Sequence, residues 1–197
     1  MKKIENFDKI NEAGEYKALP PQPYVVRLTN VVDVVDKEYL EIYFDIIEPA
    51  EFKGHFKSLF DATGKDYSKT IRSYKNEAAM SYFKQFTTAV NKSNPGFLWE
   101  KSWNEKDLIG KVVIANFGEE EYDDGVSDEI KVSTKVQQFR SGSAYREGKI
   151  ELLPRKKLTD EQLKKFEERV DKLVDKRVAT AVNASSVADI NEDDLPF

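Results

Sequence analysis

The stretch YLEIYFDII at positions 39–47 alternates in character without a break. Leu40, Ile42, Phe44 and Ile46 fall on one side of an extended chain, and Tyr39, Glu41, Tyr43 and Asp45 on the other. A period of two marks a strand with one buried face. A strand whose other face meets solvent belongs to an antiparallel sheet. The outward set is unusual in carrying two tyrosines.

The neighbouring segments extend this reading. A stiff turn, PPQPY, precedes YVVRLTNVVDVV (24–35), a β-branched strand with Tyr24, Val26 and Leu28 on one face and Val25, Arg27 and Thr29 on the other. FKGHFKSLF (52–60) reads as a third strand, with Gly54 at a bulge or close approach. DATGKDYSKT reads as a loop. Residues 73–94 read as a helix, from the spacing of Ala78, Ala79, Tyr82, Phe83, Phe86, Ala89 and Val90, stopped by Pro95-Gly96. LIGKVVIANF (108–117) and EIKVSTKVQQF (129–139) are two more strands, joined by the acidic turn GEEEYDDGVSD. In the last strand Ile130, Val132, Thr134 and Val136 share the inner face, and Lys131, Ser133, Lys135, Gln137 and Phe139 the outer. From Thr159 the pattern is helical again. TDEQ forms a capping box, and Leu163, Phe166, Val170, Leu173 and Val174 form an apolar stripe that suits either the chain's own body or a second subunit.

The expected fold is therefore mainly β. It is an OB-fold five-stranded barrel with a helix between strands 3 and 4, followed by a C-terminal helix and a disordered acidic tail. The expected organisation is an OB-fold domain over 1–153, the helix over 154–178 and a flexible tail over 179–197. Residues 1–15 read as a lead-in, with Phe7 and Ile10 available to dock on the body.

The residue inventory narrows the chemistry. There is no cysteine and one histidine, His55, so thiolate metal sites, His-based zinc sites and a Ser-His-Asp triad lack material. The acidic turn lacks EF-hand spacing, and neither G-x-G-x-x-G nor a Walker sequence occurs. The expectation is a protein that is not an enzyme and needs no cofactor or metal. No window reaches the ~18 apolar residues of a membrane span, so a cytoplasmic location without membrane contact is expected. Trp99 and Trp103 read as closing the end of the barrel beside Phe97 and Leu108, with base stacking as their other use.

Charge is distributed unevenly. The net charge is -5, yet four of the acids and none of the Lys or Arg residues lie beyond Arg177, so the rest of the chain is nearly neutral. A nearly neutral body can carry a basic face. The outward strand positions supply one mixed with rings: Arg27, Tyr39, Tyr43, Lys53, Phe56, Lys57, Lys131, Lys135 and Phe139, followed by Arg140 and Arg146. Unpaired bases stack on such rings while the cations track phosphates, so these residues are the expected contacts for single-stranded DNA.

The ending DINEDDLPF places acids, an aliphatic residue, Pro and Phe at the last positions. It resembles the C-terminal tip of bacterial single-stranded DNA-binding proteins, with Leu195 where isoleucine is commoner. By that resemblance Asp193, Asp194, Leu195, Pro196 and Phe197 would recruit replication or repair proteins. The ring and terminal carboxylate of Phe197 suit an apolar pocket rimmed by cations, and the acids steer the approach. The segments GEYKALPP and YLEIYFDIIEPAEFKGHF look like those of a phage family suspected of binding single-stranded DNA, which implies a replication or recombination protein in a bacterial host cell. A homo-oligomer is expected. The alternatives are an adaptor that mimics the host tail without coating DNA and a strand-annealing mediator.

Overall fold

A computed structural model describes residues 19–186, with side chains to residue 178. Five strands form one sheet. In chain order the elements are β1 (Pro23–Val34), β2 (Tyr39–Glu48), α1 (His55–Thr63), β3 (Lys69–Ser73), α2 (Glu77–Ser93), β4 (Val112–Tyr122), β5 (Lys131–Arg140), α3 (Gly142–Arg146) and α4 (Asp160–Ser186). The sheet order is β3-β2-β1-β4-β5. β1 lies between β2 and β4 and is antiparallel to both, with Val26 opposite Ile46 on one side and Val113 on the other. A register shift between Leu28 and Asn30 absorbs an extra residue in β1.

The alternation in β2 is realised in full: Leu40, Ile42, Phe44 and Ile46 are buried, and the residues between them are only partly so. They share a core with Tyr24, Val26 and Leu28 of β1, Val113 and Phe117 of β4, and Phe86 and Val90 of α2. Asn94 stitches α2 to the sheet. Its side chain accepts from the Val112 N–H at 3.1 Å and donates to the carbonyls of Val112 and Val90, each at 2.8 Å. Gly118 leaves room for the end of the Gln137 side chain, which an added Cβ would displace from 2.5 Å.

Three expectations fail. Residues 52–60 are not a strand. A 3-10 turn over Ala50–Phe52 leads into α1, and the third strand is Lys69–Ser73, which begins in the stretch read as a loop and ends on the first residue read as helix. The Phe52–Phe56 spacing of four satisfies a helix as well as a strand, and two local features choose the helix. Gly54 adopts φ +73° at the N-cap, and the Asp45 carboxylate accepts from the N–H groups of Phe56 (3.1 Å) and Lys57 (3.3 Å). Second, the sheet does not close into a barrel, since β3 and β5 are both edges. Third, residues 179–186, expected in a flexible tail, continue α4.

The described residues fall into two compact units. Those up to Glu119, with Thr134–Pro154, form the first; Glu120–Ser133 and those from Arg155 form the second. In the second, the capping box forms as expected. The Thr159 N–H donates to Gln162 Oε1 at 3.0 Å, and the Gln162 N–H donates to Thr159 Oγ1 at 3.3 Å. The acidic turn is fastened rather than merely solvated. Arg169 grips Asp123 with Nε at 3.0 Å and Nη2 at 2.6 Å, and Arg177 meets Asp128 at 2.8 Å. Along the stripe of α4, Phe166 is buried while Leu163 and Val174 are exposed.

No helix among the described residues is long and apolar enough to cross a membrane. The tip residues Asp193, Asp194, Leu195, Pro196 and Phe197, and Phe7 and Ile10 of the lead-in, lie outside the described residues.

Candidate functional site

The outer face of β1–β2–β3 follows from register. Residues opposite one another share a face. Tyr43 lies between Asn30 and Lys69, Glu41 between Val32 and Ile71, and Tyr39 between Val34 and Ser73. Arg27 sits opposite Asp45 and is exposed. Asn30, Val32, Lys69 and Ile71 are also exposed, and both tyrosines are half-buried. Four residues of strand separate the tyrosines by about 13 Å.

A polar cluster sets the posture of Tyr43. Its hydroxyl donates to Glu41 Oε2 at 2.8 Å, and Lys69 Nζ donates to Glu41 Oε1 at 3.1 Å. These bonds hold the Glu41 carboxyl below its ordinary pKa, that from Tyr43 contributing most. The same carboxylate raises the Tyr43 hydroxyl and the Lys69 ammonium, so both stay protonated donors. The face offers two rings, that of Tyr43 held by its hydroxyl, with flanking aliphatic surface and cations at Arg27 and Lys69. Flat unsaturated groups stack on such rings, and the cations suit anions spaced along a backbone.

A second, cationic region surrounds the C-terminal half of α2. A shallow cavity of about 270 Å³ is lined by Lys84, Thr88 and Lys92 of α2, with Arg140 and Ser141. Ser93 Oγ accepts from the Gly142 N–H at 3.0 Å, fixing α3 against α2. Arg146 lies over Gly142, where an added Cβ would be 3.5 Å from its Nη1. A neighbouring cavity of about 500 Å³ is lined by Asn94, Phe97 and Lys111, with Lys111 Nζ 4.5 Å from the centre of the Phe97 ring. Among the described residues Lys84, Lys92, Lys111, Arg140 and Arg146 form no ion pair. Their charge is therefore not neutralised locally.

The structure brings some of the sequence-predicted residues together and disperses others. Arg27, Tyr39 and Tyr43 share the β1–β2 face, and Arg140 and Arg146 border the cationic region. Lys53 and Lys57 are exposed near α1, where Lys57 pairs with Asp61 at 2.6 Å. Lys131 pairs with Glu129 at 3.7 Å in the second unit, and Lys135 is exposed on β5.

Phe56 and Phe139 are corrections. Phe56 is 7% exposed and stacks with Phe117, because α1 turns it inward. Phe139 is 1% exposed and packs on Phe86 with ring centroids 4.8 Å apart. Neither ring is available to a ligand. The tryptophans part company: Trp99 is buried as expected, and Trp103 is 68% exposed.

Sequence reasoning missed Lys69 and Ile71, because β3 straddles the end of a turn-rich stretch and the start of the segment read as a helix. It also missed Lys84 and Lys92. Their signal was legible, since Lys84, Thr88 and Lys92 recur every four residues along the helix surface. Among the described residues no group of three or more His, Cys, Asp or Glu side chains is placed to hold a metal ion. The chain matches no protein-family model, and no curated protein matches it.

Proposed function

We propose that this protein is a non-enzymatic single-stranded DNA-binding protein built on an OB-like module. The observation that carries the reading is the outer face of β1–β2–β3, where Tyr39 and Tyr43 stand on one open surface with Arg27 and Lys69 beside them. The OB-like assignment rests on topology. β1 is shared between β2 and β4, α2 lies between β3 and β4 in the chain, and an OB-fold is a partly open five-stranded barrel. The two edge strands approach through side chains, with the Arg72 guanidinium of β3 4.8 Å from the ring centre of Phe139 on β5.

Bases stack on the tyrosines, at ~1–3 kcal/mol each. Phosphates follow the cations, including the unpaired set around α2. This mode reads no base edges, so binding has little sequence preference and covers ~4–16 nucleotides per module. The C-terminal residues Asp193 to Phe197 serve as a separate hook for replication or repair proteins, on the strength of their sequence.

The decisive experiment is titration of the full chain with oligo-dT at two salt concentrations, followed by intrinsic fluorescence and anisotropy. The reading expects quenching and an affinity that falls as salt rises. Binding absent at low salt, or insensitive to salt, overturns it. Removing Phe197 is expected to leave the DNA titration intact and to abolish capture of replication or repair proteins. DNA affinity lost along with Phe197 would overturn the separation of the two roles.

A further inference from the structure

A pocket of about 580 Å³ lies between the start of β2, α2 and the turns that follow α2. Its apolar walls come from Leu40, Met80, Phe83, Trp99 and Trp103. Its charged lining is mostly acidic, with Asp33, Glu100 and Glu105 against Lys84 alone. This volume falls within the range of ligand-binding pockets.

The carboxylates are held by neutral donors. Asp33 accepts from the Tyr74 hydroxyl at 2.6 Å, and Glu100 accepts from Asn91 Nδ2 at 2.8 Å. Asp33, Glu100 and Glu105 form no ion pair among the described residues, and Lys84 offsets only one of the three charges, so the lining keeps a net negative charge. The bond to Asp33, the main cause, pushes the Tyr74 hydroxyl up to about 12.

Trp103 supplies a second, independent sign. It holds φ +52°, a conformation that bulky side chains avoid, and yet its indole is 68% exposed. That posture is kept by the Trp103 N–H donating to the Trp99 carbonyl at 3.1 Å and by edge-on packing against the Trp99 ring at 6.1 Å. Strained residues that display a side chain to solvent concentrate at binding sites. In the wall behind it, the buried Trp99 indole N–H has no hydrogen-bond partner among the described residues.

An aromatic wall beside a net negative lining attracts an organic cation and repels phosphate. We infer that this pocket docks a basic, apolar segment of a partner protein, an arginine or lysine next to an aromatic or aliphatic residue. Met80 is 49% exposed and Trp103 68%, so the ligand's apolar body rests on the surface, as a segment attached to a larger protein must. A peptide also brings carbonyl acceptors, which a simple amine lacks. The chain's own acidic tip is excluded as the occupant, because its carboxylates have the sign of the pocket's own. The inference does not rest on the DNA-binding reading.

The test uses the full chain and its two tryptophans as reporters. The probes are the peptide acetyl-Arg-Phe-Lys-Leu-amide, its acidic counterpart acetyl-Glu-Phe-Glu-Leu-amide, and oligo-dT. The basic peptide is expected to shift tryptophan emission and the acidic one to leave it unchanged. The double variant Glu100→Gln, Glu105→Gln is expected to weaken the basic peptide by roughly fivefold or more, with an unchanged melting curve. Trp103→Leu is expected to abolish binding measured by calorimetry. Failure of the basic peptide to bind at millimolar concentration, equal binding of both peptides, or no change in the double variant would each overturn the proposal. Displacement of the peptide by oligo-dT would do so too, and would give the pocket to nucleic acid.

Discussion

Arg72 on β3 lays its guanidinium 4.8 Å from the ring centre of Phe139 on β5. These are the two edges of an open sheet, and a cation–π interaction stands where backbone hydrogen bonds would close a barrel. Arg72 lies opposite the buried Leu40 and so faces inward. Burial lowers its guanidinium to about 10, and its Nη2 has no partner among the described residues. Phe139→Ala is expected to cost ~3–5 kcal/mol of stability, as large aromatic deletions in a core do. Arg72→Lys, which loses the flat stacking surface, is expected to cost ~1 kcal/mol. Urea denaturation measures both. A Phe139→Ala protein with unaltered stability and reduced DNA affinity would reinstate that ring as part of the DNA-binding surface.

The tyrosines on the opposite face of the sheet make the reverse prediction. Tyr43→Ala and Tyr39→Ala are each expected to weaken oligo-dT binding by ~1–3 kcal/mol while sparing the fold. Tyr43→Phe keeps the ring, loses the bond to Glu41, and should bind nearly as well as the parent. Glu41→Gln removes a carboxylate from the face and is expected to tighten binding. Anisotropy titrations of the four variants suffice, and a Tyr43→Ala protein with parental affinity refutes the stacking role.

Cations act through salt rather than through rings. Replacing Lys92 and Arg140 by Gln should lower the slope of log affinity against log salt by ~0.7 for each phosphate that is no longer neutralised. A parallel displacement of the line without a change in slope would mean that these cations do not meet phosphates.

His55 packs edge-on against Phe52 and Phe56, at 6.4 and 5.2 Å between ring centroids. Burial depresses its pKa below the ordinary 6.5, and the Asp45 charge only partly offsets this. The neutral ring is therefore favoured in the folded chain. Its contribution is fully present above the unfolded pKa and is lost as pH falls from there through the folded value. Stability should decline between pH 7 and 5 in the parent and decline less in His55→Gln. Equal pH dependence in the two proteins would contradict the desolvation of this half-buried ring.

Legibility followed the range of the interactions. The β2 alternation and the Thr159–Gln162 capping box are local, and both were readable in the sequence. The helix α2 was readable from its periodicity and from Pro95-Gly96. The segment around Phe52 and Phe56 was not, because its pattern fits two periods and Asp45, eleven residues upstream of Phe56, settles the choice. The outward place of Phe139 followed from strict alternation through β5. That assumption fails at an edge, where Phe86 of α2 and Arg72 of β3 enclose the ring from outside the strand.

The amino-acid order determined which residues are paired in period, which helices are capped, and that two tyrosines leave the same side of one strand. Those properties depend on neighbours a few positions apart, and short-range sterics and hydrogen bonds enforce them. Only the tertiary structure decided that Lys69 and Ile71 join the tyrosine face, that Phe56 and Phe139 are buried, and that Trp103 stands exposed beside three carboxylates. Each of those outcomes depends on strand register or on helix docking across long sequence separations, where packing rather than local pattern selects the partner.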